Sequence, residues 1–140
     1  MEMARYLVCG SRTFTDKDKL DRYLKVLPVP EAFISGMATG ADLLSALWCQ
    51  EHWPTTSLLK YPVSPADWKH FGFAAGPLRN RRMAVEGKPT LILAFPSDPN
   101  KISDGTVSMI NIGLELKIPT YYAGATTWVQ VLVPLQKQSR

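Results

Sequence analysis

Four short segments carry residue types suited to holding a phosphate: Gly10-Ser11-Arg12, Gly36-Met37-Ala38-Thr39-Gly40-Ala41-Asp42, Gly76-Pro77-Leu78-Arg79-Asn80-Arg81-Arg82 and Asp104-Gly105-Thr106. Glycine lets a ligand approach the backbone. A helix start offers unpaired N–H donors at the positive end of its dipole. Arginine adds a planar fork of donors that matches phosphate, and asparagine adds a neutral amide. Each glycine taken alone reads equally well as a turn residue, so the signal is the coincidence of all four.

The second segment is neither a Walker A sequence, since no lysine follows Gly40, nor a strict G-x-G-x-x-G. Gly36, Thr39 and Gly40 still suit an anion cradle. Asp42 suits the helix dipole but would repel a phosphate set on top of it, so it reads as a cap or a partner for ribose hydroxyls. In the third segment Pro77 can open a helix, which places Arg79, Arg81 and Arg82 in its first turn and a half. Positive charge there opposes the dipole by about 0.3–1 kcal/mol each, which a bound phosphate would offset. The alternative is a solvated basic face neutralised by Asp67 or Glu86, and it is preferred for Arg81 and Arg82.

Ser11 can hydrogen-bond a phosphate and Arg12 can grip an anion or stack on a base, unless both simply face solvent in a turn. Trp68 either stacks a base or packs down on the core. Asp42 and Asp104 are the candidate acid/base residues if the chain is catalytic. His52 and His70 lack metal-ligand spacing and are assigned surface or helix-end roles, so no metal site is expected.

The elements that must position these groups follow from periodicity. A β-rich run, 5–9, precedes the first segment, and Leu20, Tyr23, Leu24 and Leu27 mark an amphipathic helix after it. Pro28 and Pro30 end that helix. Residues 32–35 form a second strand, followed by a helix with Leu43, Leu44, Leu47 and Trp48 on one face. A third strand, 56–61, leads into a proline-broken loop with a short helical turn near Asp67-Trp68. The helix from Pro77 comes next. The continuous apolar run 90–95 belongs in the centre of a parallel sheet, Asp104 starts a helix carrying Val107, Ile110 and Leu114, and strands follow at 119–123 and, on an edge, 128–133. This alternation predicts an α/β, Rossmann-like three-layer domain with a mostly parallel central sheet, whose ligands bind at the carboxyl ends of the strands.

The 140 residues suit one domain, read as 1–135 with a frayed tail at 136–140. Apolar content of 46% and charged content of 20% are ordinary for a globular protein, and no apolar run is long enough to span a bilayer. The expectation is a cytoplasmic protein with no membrane partner. Cys9 and Cys49 sit in apolar stretches and read as free core thiols. A net charge of +4 is compatible with a polyanion without demanding one. Tyr121, Tyr122, Trp128, Val129, Val131 and Val133 serve either a homo-oligomer surface or the core.

Read together, Gly10-Ser11-Arg12, Ser35-Gly36 through Asp42, Pro65-Ala66-Asp67-Trp68 and Ala75-Gly76-Pro77-Leu78-Arg79-Asn80-Arg81 resemble the YspA-like branch of the SLOG superfamily of Rossmannoid proteins. The resemblance covers about residues 5 to 123. It implies a nucleotide pocket lined by Gly10, Ser11, Arg12, Gly36, Gly40, Asp42, Gly76, Arg79 and Asn80, with a nucleotide-type ligand and no required cofactor. Related branches include cytokinin-activating phosphoribohydrolases, whose Gly-Gly-x-Gly-Thr loop precedes a helix-borne glutamate, and the DNA-processing protein DprA. Here only Gly105-Thr106 of that loop is present, and the position expected to be acidic is near Met109. The expected function is binding of a nucleotide-derived phosphate ligand, for sensing or sequestration. The alternatives are a nucleotide hydrolase using Asp42 or Asp104 and single-stranded nucleic-acid binding with Trp48, Trp53 or Trp68 as stacking platforms.

Overall fold

A computed structural model describes residues 3–137. In chain order the elements are β1 (Arg5–Gly10), α1 (Lys17–Leu24), β2 (Ala32–Ser35), α2 (Ala41–His52), β3 (Ser57–Lys60), α3 (Pro65–Phe71), a 3-10 turn (Gly72–Ala74), α4 (Ala75–Glu86), β4 (Leu91–Phe95), α5 (Asp104–Glu115), β5 (Thr120–Ala123) and β6 (Trp128–Gln130). They build one six-stranded sheet in the order β3-β2-β1-β4-β5-β6. Every strand pair is parallel except β5 with β6, so the sheet is the mostly parallel one expected, with β4 beside β1 at its centre.

Strand alternation divides the core into two layers. Tyr6, Val8, Phe33, Leu93 and Phe95 meet Leu20, Tyr23 and Leu24 of α1 and Ala41, Ala46, Trp48 and Cys49 of α2. On the other face, Leu7, Cys9, Ile34, Ile92 and Ala94 meet Met83 and Ala84 of α4 and Met109, Ile110 and Ile112 of α5. Because β1 and β4 are covered on both sides, their sequences are apolar runs rather than alternating ones. Cys9 and Cys49 are both buried and free. Among the described residues no helix is long and apolar enough to cross a membrane.

Three expectations change. Helix α2 buries Ala41, Asp42, Ser45, Ala46, Trp48 and Cys49, whereas Leu43 and Leu47 are exposed. The reason is close approach: a Cβ on Gly10 would stand 2.6 Å from the Ala41 Cβ, a gap that only small residues can line. The segment near Trp68 is a full helix, α3, closed at its start by a Ser64/Asp67 capping box and at its end by Gly72 at φ 56°. Helix α4 then begins at Ala75, so Pro77 is its third residue, where its missing N–H is still one the helix leaves unpaired.

The apolar C-terminal group is divided. Val131 is in the core, Tyr121, Tyr122 and Trp128 pack partly against it, and Val129 and Val133 are exposed. Asn111 holds the Leu135 backbone through two hydrogen bonds of 2.8 Å. Of the expected tail, 138–140 lie outside the described residues.

Candidate functional site at the strand-order switch

β1 is flanked by β2 and β4, and the chain leaves β1 toward the α1 face but leaves β4 toward the α5 face. Diverging connections open a crevice at the carboxyl ends of these two strands. A cavity of about 570 Å³ lies there, bounded by the end of β1 and by the first turns of α2, α4 and α5. Three helix starts direct their dipoles' positive ends at one space.

Ten of the expected residues line it: Gly10, Ser11, Arg12, Asp42, Gly76, Arg79, Asn80, Asp104, Gly105 and Thr106. Gly36, Thr39 and Trp68 instead line a neighbouring cavity of about 320 Å³, which shares Arg12, Ala38 and Arg79 with the first. Gly40 lines neither cavity. Its φ is +93°, and a Cβ there would lie 2.3 Å from the Ser11 carbonyl oxygen, so this glycine serves the packing of α2 under the first loop.

The same comparison separates the other glycines. A Cβ on Gly10 would meet the Phe95 carbonyl oxygen at 2.3 Å, and one on Gly36 would meet the Arg79 guanidinium at 2.5 Å. Gly76 and Gly105 meet nothing within 4 Å. Each is the second residue of its helix, and neither has positive φ. A helix pays for glycine with backbone entropy, so neither packing nor dihedral angle accounts for these two. What they share is the cavity they face.

The polar groups are partly committed to the protein. Arg79 donates from Nη1 to the carbonyls of Gly36 (2.9 Å) and Tyr61 (3.2 Å) and from Nε to Asn80 Oδ1 (3.1 Å). No hydrogen bond from Nη2 to a described residue competes for a ligand. The Ser11 hydroxyl pairs with Thr13 Oγ1 at 2.8 Å, and Thr106 Oγ1 pairs with Ser103 Oγ at 3.0 Å. Arg12 forms no ion pair among the described residues; its guanidinium lies 6.0 Å from the centre of the Trp68 ring.

Asp42 is only 6% exposed. Burial raises its pKa to about 6, against the opposing effects of Arg79, the Ala38 N–H and Arg12. Burial lowers the Arg79 pKa, and Asp42 counters that. Burial likewise pushes the Cys9 thiol well above its ordinary value, which marks it as a neutral core thiol rather than a nucleophile. The arrangement can hold an anion and can exchange a proton near neutrality at Asp42. No group of three or more His, Cys, Asp or Glu side chains among the described residues could hold a metal ion. Because Arg79 ties two loops together, Arg79→Ala is expected to cost about 1–3 kcal/mol by leaving two carbonyls without their donor. Urea denaturation measures that loss, and an unchanged midpoint would mean that water replaces the guanidinium at no cost.

No protein-family model matches the sequence, and no curated protein matches it. Among solved structures, DNA processing protein A (DprA) from Streptococcus pneumoniae matches with a TM-score of 0.67 over 86% of this chain, at 15% identity. The two share a fold. The chain spans half of that protein's length, 50%, and at this identity the likeness concerns the Rossmann-like α/β architecture alone.

Several residues take places that the spacing did not foretell. Arg79 is the fifth residue of α4, beyond the first turn, so the conflict with the helix dipole expected there is small. Arg81 pairs with Glu115 at 2.6 Å, and Arg82 pairs with Glu86 as the neutralised-face reading expected. Trp68 is 41% exposed rather than packed into the core. Trp48 and Trp53 are buried and therefore present no stacking surface. Phe73 and Lys137 line the main cavity without having been singled out. Phe73 carried no periodic signal, and Lys137 lies in the segment read as a tail.

Proposed function

We propose that the chain binds a nucleotide-derived, phosphate-bearing small molecule in the cavity at the ends of β1 and β4, as a member of the YspA-like branch of the SLOG superfamily. The observation that carries this reading is the pair of helix-start glycines, Gly76 and Gly105, which face the same open space with no packing need for glycine. Their backbones let a phosphate reach the helix N–H groups, and Arg12, Arg79 and Lys137 supply positive charge around it. Asn80 and Asp42 also line the cavity and would meet base or ribose groups. The likeness to DprA supports the fold on which this reading rests, an open parallel sheet that takes ligands at the carboxyl ends of its strands.

Calorimetry with AMP, ADP-ribose, NAD and cyclic nucleotides is expected to find at least one ligand whose affinity falls about tenfold or more in Arg12→Ala, the loss of one charge-assisted contact. Arg12 is exposed and has no acidic partner among the described residues, so the variant is expected to fold as the parent does. Absence of binding across the panel would overturn the proposal.

A second reading, hydrolysis of a nucleotide bond, draws on one observation: a carboxyl with a pKa of about 6 in the ligand cavity suits a general acid or base. Product analysis with nucleoside monophosphates tests it, and activity that survives both Asp42→Ala and Asp104→Ala rejects those roles. Single-stranded nucleic acid is the weakest reading, because Trp48 and Trp53 are buried and Arg81 and Arg82 are paired with acids.

A further inference from the structure

We propose that the two neighbouring cavities form one bipartite site for a dinucleotide-type ligand, a diphosphate flanked by two aromatic bases. The phosphates lie on Arg12 and Arg79, with one base against Phe73 and the other against Trp68. This inference rests on the reading that the main cavity takes a nucleotide-derived phosphate.

The two spaces are joined through the arginines. Arg12 and Arg79 line both cavities, whereas Phe73 belongs only to the larger and Trp68 only to the smaller. Each cavity therefore has its own aromatic ring and shares its cations, which makes the pattern ring, cations, ring. Both rings are solvent-accessible, Phe73 fully and Trp68 by 41%, in a protein that buries Trp48, Trp53, Phe14, Phe33 and Phe95. Exposed aromatic faces beside a cationic centre are the surface on which bases stack. Arg12 has no acidic partner among the described residues and lies 6.0 Å from the Trp68 ring, so it can meet a phosphate while bordering the base beside it. A mononucleotide has one base and leaves one ring uncovered; two bases joined through phosphates cover both.

Calorimetry on the full chain with AMP, ADP-ribose and diadenosine diphosphate tests this. ADP-ribose has the diphosphate and both riboses but lacks the second base, so its comparison with diadenosine diphosphate reads that base alone. Diadenosine diphosphate is expected to bind about tenfold more tightly than ADP-ribose. Trp68→Ala and Phe73→Ala are each expected to weaken it about tenfold without moving the Tm, and Trp68→Phe to restore most of the loss. Equal affinity for diadenosine diphosphate and ADP-ribose, with both alanine variants silent, would overturn the bipartite site and leave the single-cavity reading standing. If none of the three ligands binds, both proposals fail. An affinity for single-stranded oligoadenylate that keeps climbing beyond two nucleotides would identify a strand as the occupant and overturn the small-molecule assignment.

Discussion

Replacing Gly40 by alanine is expected to destabilise the protein by at least about 2 kcal/mol, while Gly76→Ala and Gly105→Ala stabilise it by up to about 1 kcal/mol each and weaken ligand binding about tenfold. The opposite signs come from surroundings, since the substitution is the same. At Gly40 the backbone has φ +93°, and the new methyl would fall 2.3 Å from a carbonyl oxygen of the first loop. Either the dihedral or the contact between α2 and that loop must give way. At Gly76 and Gly105 a methyl meets open space on an ordinary helix, so the unfolded chain loses freedom and the folded one loses nothing. The cost appears only when a phosphate has to approach the backbone there. Urea denaturation of the three variants, with calorimetry of parent and variants against the nucleotides proposed above, measures both effects. If Gly76→Ala and Gly105→Ala left binding untouched, no phosphate would approach the backbone at these glycines.

Asp42→Asn is expected to remove a component of the pH dependence of stability worth about 3 kcal/mol. With its pKa near 6, buried Asp42 holds a proton more tightly in the fold than in the unfolded chain. Its favourable contribution is therefore complete below the ordinary carboxyl pKa, is lost as pH rises through about 6, and stays constant above that. The variant should gain on the parent between pH 4 and pH 7 and hold a steady advantage at higher pH. Asp21 acts with the opposite sign, because the Trp48 indole N–H chiefly lowers its pKa, and its contribution is lost on acidification. That contribution is common to both proteins and cancels in the difference. Parallel pH profiles for parent and variant would show that Asp42 ionises as an ordinary carboxylate.

Much of the strand pattern was legible because the two buried central strands need continuous apolar runs, as in residues 91–95, and proline and glycine mark where the chain turns. The α2 face was misread because leucine outranks alanine in any hydrophobic pattern. The structure buries Ala41, Ser45 and Ala46 there because the helix must come close to β1. Arg79 reads alike in sequence as a phosphate ligand or a surface charge. Folding makes it a link between the β2 and β3 ends that still borders both cavities.

The four glycine-marked segments follow from local chemistry, since backbone freedom and helix-start donors are properties of a few consecutive residues. Their convergence does not. It depends on the strand order β3-β2-β1-β4-β5-β6, which sets residues 10–12, 76, 77, 79, 80 and 104–106 around one cavity although up to 96 positions separate them. The separation of Gly10 and Gly40, held by packing, from Gly76 and Gly105, open to the cavity, depends on atoms that only the folded chain brings near. The sequence determined which residues carry the backbone freedom and donors that suit an anion. Tertiary structure decided which of them face the same space, because proximity across a sheet is set by strand order rather than by spacing along the chain.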